Sequence, residues 1–258
     1  MSSALFISNP WFYVLSVPAL LLTSISKGGF GIGLGVVAVP LMSLYLPVPE
    51  VVTILVPILC VTDLIALWKY RGQWDWPLLR IAIPAAIFGI GLGALAIHHL
   101  PPAWLRLGVG LIAVDYARRR WLRSRRPAPE NSNAIRPASS VFWGATSGFA
   151  SFMANAGEPA LTIYLLRFRL SKSCFAGTTA AFFAVVNLVK LFSFSMLGLF
   201  TQTTLITSAM LLPLAVLGTY AGVQLNRRLN LTVFYQLSYA ILLVIGTRLI
   251  YTSLKVIL

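Results

Sequence analysis

The chain has 258 residues, of which 58% are hydrophobic and 10% charged, and its formal net charge is +14. A soluble domain carries about 25% charged residues, so this composition excludes one and indicates a polytopic α-helical membrane protein. The positive excess does not indicate nucleic acid, because it sits in short stretches between apolar runs, where basic residues act as a topology signal.

The first apolar block, 10–46, follows an N-terminus with no basic n-region and no A-x-A-like site, so that end reads as retained structure and not a cleaved signal. The block exceeds the ~20 residues of one span. Near its centre lies "SKGGFGIGLGVVAVP" (26–40), with a lysine and five glycines. Glycine costs ~1 kcal/mol against alanine in a helix. Alternating glycines, among them Gly29, Gly31 and Gly33, exceed what a packing seam needs and predict an unwound or hairpin segment. Spans are expected over 51–68, 77–97 and 102–116. A basic stretch, 117–136, then holds seven arginines. Four further blocks follow at 137–168, 173–197, 203–224 and 231–256, the first again glycine-containing ("GFASFMANAGEP", 148–159).

The two series match each other weakly. Shifted by 119, Gly29, Phe30, Pro40, Tyr45 and Leu46 fall on Gly148, Phe149, Pro159, Tyr164 and Leu165. Shifted by 129, Pro84, Gly89 and Gly93 fall on Pro213, Gly218 and Gly222. The chain therefore divides into a first repeat (1–116), a basic linker (117–136) and a second repeat (137–258). The stretches 69–80, 117–136, 167–172 and 227–228 hold 15 of the 20 basic residues, and the positive-inside rule puts them on the cytoplasmic side. Each opening block then begins and ends on one side, and three spans follow it. That arrangement inverts one half against the other, the pattern of secondary transporters whose discontinuous helices meet near the midplane. Helix N-termini exposed at such breaks are natural anion sites. The spacings Gly31/Gly35, Gly89/Gly93, Gly144/Gly148 and Gly218/Gly222 also suit close helix packing.

Ionisable groups inside spans cost roughly 2.5–3.5 kcal/mol on insertion scales, so each needs a reason. Lys27 either pairs with an anion or snorkels to the interface. Lys190 and Asn187, three apart, share a helix face and are expected to line a pathway. Asp63 falls opposite Asn187 by the repeat and is expected to serve as a proton relay or as the counter-ion of Lys27 or Lys190. Asn155 and Glu158 are read as sharing a face, with Asn155 the better hydrogen-bonding partner for an anion. Thr178 and Thr179 offer hydroxyls, or bond their own backbone. Cys60 and Cys174 stand alone, and His98 and His99 sit at a boundary, so neither a disulfide nor a metal is expected. Trp68, Trp74, Trp76, Trp104 and Trp143 read as interfacial belt residues.

Four segments, "KGGFGIGLGVVAVPL", "RGQWDWPLLRIAIPAAIFGIGLGA", "GFASFMANAGEPALTIYLL" and "FAGTTAAFFAVVNLVKLFSF", together resemble the TauE/SafE family of sulfite and organosulfonate exporters. The resemblance runs from about residue 10 to 250. It implies a bacterial inner-membrane permease for small sulfur-containing anions, often moving them outward, and the match to the family segment favours the functional reading of Lys27. The chain departs from the family pattern at Glu158, where a second glycine before Pro159 is expected; the carboxylate disturbs a simple anion pocket or adds a protonatable group to it. The expected function is a secondary transporter or facilitator with a sulfur anion as partner. Protons are a candidate coupling ion, anionic lipids are expected at the basic linker, and no cofactor or nucleic acid is expected. A channel, or uptake of another small anion, remains the alternative, and oligomerisation is left open. An integral membrane enzyme fits poorly, since six scattered carboxylates and two adjacent histidines form no catalytic constellation, and no Walker A sequence is present.

Overall fold

The computed structural model describes residues 7, 9–29, 37–97, 99–101, 103–104, 107–108, 110–111, 114–115, 117–118, 136–165, 167–168, 170–225 and 231–258. Gly31, Gly33, His98 and most of the basic linker lie outside the described residues. The described helices are α1 (Pro10–Gly29), α2 (Ala38–Met42), α3 (Val48–Lys69), α4 (Trp76–Ala96), α5 (Pro137–Ala154), α6 (Glu158–Leu165), α7 (Lys172–Met196), α8 (Gln202–Leu225) and α9 (Leu231–Ile257). Five of these, α1, α3, α4, α7 and α8, are long and apolar enough to cross a membrane.

Local chemistry explains where the helices start. The Asp75 carboxylate accepts the Leu78 amide at the head of α4, and the Ser171 hydroxyl accepts that of Cys174 at the head of α7. Each satisfies one of the amides that a helix N-terminus leaves without a partner. Proline stands in the first turn of α3, α4 and α5, where its missing N–H costs nothing. Pro18, Pro57, Pro84 and Pro213 sit inside α1, α3, α4 and α8; neighbouring helices make such prolines tolerable in a membrane.

Each opening block combines a long helix with a short one: 20 residues of α1 with 5 of α2, and 18 of α5 with 8 of α6. Between α5 and α6 the chain turns at Asn155, which is left-handed (φ 49°, ψ 28°); its amide donates to the Ser151 carbonyl and that of Ala156 to the Ala150 carbonyl. The expectation that Asn155 and Glu158 share a helix face is therefore corrected. The helix ends between them, so three-residue spacing no longer places their side chains together. The Ser140 and Tyr164 hydroxyls, near the outer ends of α5 and α6, lie 2.6 Å apart.

The helices exchange partners between the two halves of the chain. α1 runs along α8 and α4 along α5, while α3 packs on both α7 and α8. Small residues permit the close crossings. A methyl group at Gly28 would meet the Thr219 carbonyl, and one at Gly29 the Gly222 carbonyl. At the α4–α5 contact, Gly89 faces Ala145 and Gly148 faces Ala86 in the same way. The spacings Gly89/Gly93, Gly144/Gly148 and Gly218/Gly222 thus serve packing. The outward faces carry exposed apolar side chains such as Leu95, Phe192 and Leu217, and Trp68, Trp76 and Trp104 are exposed towards helix or loop ends.

Candidate functional site

A chain of buried polar side chains crosses the middle of this bundle. It starts at Lys27, in the last turn of α1, whose ammonium lies 2.6 Å from Asp63 Oδ1 on α3. The Lys27 ammonium also stands 5.9 Å from the centre of the Phe183 ring on α7, within range of a cation–π attraction. The second Asp63 oxygen, Oδ2, accepts a hydrogen bond of 2.6 Å from Asn187 Nδ2 on α7. The other end of that amide, Asn187 Oδ1, accepts from Lys190 Nζ at 3.1 Å. Asn187 is therefore held between a carboxylate and an ammonium, which fixes the direction of its amide.

Lys190 completes the chain. Its side chain is fully buried (0% exposed), and its ammonium donates to three neutral oxygens: Ser151 Oγ at 3.1 Å, Asn187 Oδ1 and Asn155 Oδ1. An ammonium has three donors and no acceptor, so these three oxygens match it completely as a hydrogen-bonding group. They do not match its charge. Among the described residues no carboxylate touches it, and a buried charge without a counter-charge is costly.

Asn155 Nδ2 and Thr179 Oγ1 are buried without a hydrogen-bond partner, a state shared elsewhere among the described residues by the Tyr13, Ser43 and Ser253 hydroxyls. Turning the Asn155 amide oxygen to Lys190 leaves the amino group of the same side chain as a spare donor next to the cation. Thr179, Phe183, Asn187 and Lys190 recur at helical spacing, so they line one face of α7.

The other expected site residues fall elsewhere. The Thr178 hydroxyl accepts the Asp75 amide at 2.9 Å, joining α7 to the head of α4. Gly29 packs on α8, and its carbonyl accepts from the Tyr70 hydroxyl at 3.1 Å, as does that of Gly28. Glu158 is buried in the first turn of α6 and close enough to Lys190 to act on it electrostatically. Sequence reasoning missed Ser151, Phe183 and Tyr70. Ser151 stands four residues before Asn155, within the last turn of α5 that Asn155 caps, and this spacing was the available signal. Cys60 and Cys174 are free, and among the described residues no cluster has the make-up of a metal site. A groove of about 360 Å³ between α3, α4 and α7, bordered by Cys60, Leu64, Trp74, Ile83 and Leu188, is almost wholly apolar and offers an anion nothing.

The family model described as "Sulfite exporter TauE/SafE" matches residues 16–249, a stretch that includes every member of the buried chain. No curated protein and no solved structure matches.

Proposed function

The chain belongs to the TauE/SafE sulfite exporter family and is a multi-pass membrane transport protein for a small sulfur anion; from that premise we propose a secondary transporter or facilitator that moves sulfite or an organosulfonate outward by alternating access. The observation that carries the site assignment is Lys190: a buried ammonium surrounded by neutral oxygens, with spare donors at Asn155 and Thr179.

In this reading the anion supplies the counter-charge that Lys190 lacks. The Asn155 amino group replaces part of its hydration, the Thr179 hydroxyl meets the anion further along the same face of α7, about 16 Å from Lys190 along the axis, and Asn187 keeps Lys190 aimed. Lys27 and Asp63 form the adjoining ion pair. Gly29 then acts by packing on α8, and the Thr178 hydroxyl by holding the head of α4. Asp63 and Glu158 are the two groups through which protons would couple to transport.

The exchange of helix partners between the halves supports two inverted repeats, 1–116 and 137–258, joined by the basic linker 117–136. The Ser140–Tyr164 contact supports a returning hairpin for α5 and α6. With the basic stretches on the cytoplasmic side of a bacterial inner membrane, the interior-negative potential favours anion exit by ~2.3 kcal/mol per charge per 100 mV, so export needs no ATP.

The test is efflux from proteoliposomes loaded with sulfite or methanesulfonate under an imposed potential. Saturable efflux is expected, faster with the inside negative. Lys190→Met should abolish it, and Asn155→Gly, which suits the left-handed turn but removes the amide, should weaken it. Flux that does not saturate, or that is indifferent to Lys190→Met in a folded protein, would refute the assignment.

A further inference from the structure

We propose that the groove between α3, α4 and α7 holds an acyl chain of one anionic phospholipid, whose phosphate is bound at the mouth by Arg71 and Arg80.

The groove exists because two consecutive helices part. Among the described residues α3 and α4 do not run along each other, and each packs along α7 instead. The space between them, about 360 Å³, falls within the ~300–1,000 Å³ of small-ligand pockets. Leu64 and Leu67 wall it on α3, Leu79 and Ile83 on α4, and the small Ala181 and Ala184 border it on α7. On each helix these positions recur at three- and four-residue intervals, so each gives one apolar stripe. From Trp76 to Ile83 the groove is about 10 Å long, most of the ~15 Å that one leaflet contributes to a ~30 Å hydrocarbon core. Left empty, it would forfeit the dispersion contacts of every side chain that lines it.

The mouth shows which lipid fits. Trp74 and Trp76 border that end of the groove, and tryptophans mark the level of the headgroups. Lys69, Arg71 and Arg80 are exposed there. Arg80 stands four residues after Trp76 and beside Leu79, on the groove stripe of α4. Arg71 lies just past the end of α3, four residues after Leu67. Its guanidinium is 5.5 Å from the centre of the Trp68 ring, a cation–π contact that keeps it at this level. The one carboxylate in the connection, Asp75, accepts the Leu78 amide, and among the described residues neither arginine forms an ion pair. Guanidinium groups bind phosphate oxygens in a two-pronged fashion. An apolar slot below two unpaired arginines therefore complements a lipid with a net negative headgroup. A zwitterionic lipid fills the slot but leaves the arginine charge unbalanced, and a water-soluble anion gains nothing from the slot.

Native mass spectrometry of the purified full-length protein in detergent, given equal amounts of dioleoyl phosphatidylglycerol and dioleoyl phosphatidylcholine, counts the lipid that stays bound. A single retained phosphatidylglycerol per chain is expected, favoured over phosphatidylcholine by about tenfold or more, the effect of two arginines at a lipid surface. Ala184→Phe puts a ring into the groove and should lose the retained lipid of either kind. Arg71→Gln with Arg80→Gln should keep a lipid but hold the two kinds about equally. Both arginines are exposed, so this variant keeps the test available if Ala184→Phe does not fold.

Equal retention of the two lipids by the wild type would overturn the inference, as would retention of neither, or full retention by folded Ala184→Phe. A phosphatidylglycerol preference that survives loss of both arginines, and goes only when the arginines of the linker 117–136 are replaced by glutamine, would put the lipid elsewhere and overturn it too. A doubled mass that Ala184→Phe returns to that of one chain would make the groove a contact between two copies, against the proposal.

Discussion

Replacing Lys27 by methionine leaves the Asp63 carboxylate buried with only Asn187 to hold it, and replacing Asp63 by asparagine strands the Lys27 ammonium. The two groups are 2.6 Å apart and 7% and 0% exposed; at an effective dielectric of ~20 their attraction is roughly 6 kcal/mol. Desolvating each ion costs several kcal/mol, so the pair as a whole contributes little net stability, whereas half of it is a liability. Each single variant should therefore lose about 3–5 kcal/mol, and the double variant should lie within about 2 kcal/mol of wild type. The coupling between the two sites would then approach the Coulomb figure. Reversible unfolding in mixed detergent micelles with increasing SDS, followed by circular dichroism, gives all four corners of the cycle. Additive losses of under ~1 kcal/mol apiece would show that the two charges do not depend on each other.

Two neighbouring glycines on α4 should respond in opposite senses. A methyl at Gly89 meets the Ala145 carbonyl, while Gly91 has nothing within 4 Å; alanine at 89 should cost about 1–3 kcal/mol through overpacking, and at 91 should add up to ~1 kcal/mol, both read in the same SDS titration. Two adjacent threonines on α7 should also separate. Thr178→Val removes the acceptor of the Asp75 amide and should lower stability by about 1 kcal/mol with anion affinity retained, whereas Thr179→Val should weaken methanesulfonate binding with little change in stability. The reverse pattern would move the site away from the Thr179 face.

Much of this organisation can be read in the residues before any coordinates are seen. Apolar runs of span length, bounded by Pro47, Asp75, Pro137 and Ser171, mark helix starts to within a few residues, because hydropathy and capping are local properties. Asp63 and Asn187 stand 124 residues apart, between the two repeat offsets of 119 and 129, and the two are in contact. The contact between Lys27 and Asp63 was one of two pairings open to that carboxylate, and only tertiary packing chooses between them. The break after Ala154 is poorly marked, since "ANAGEP" has one glycine and an asparagine whose left-handed backbone depends on its surroundings. For that reason the three-residue spacing of Asn155 and Glu158 misleads. Thr178 and Thr179 are indistinguishable by type; a rotation of ~100° along the helix sends one to a loop amide and the other into the interior. Tyr70 leaves no local signal at all, for its partners are 41 and 42 residues away.

That tyrosine has a mechanical consequence. Its hydroxyl, just past the end of α3, grips the Gly28 and Gly29 carbonyls at 3.1 Å, while about two turns back along α3 Asp63 is bonded to the Lys27 ammonium. Two fasteners along one edge remove both sliding and twisting between α1 and α3. The pair behaves as a single lever, and α8, lying along α1 with backbone against backbone at Gly28 and Gly29, is carried with it. On its other side α3 packs along α7, and among the described residues Asn187 supplies the hydrogen bond between their side chains.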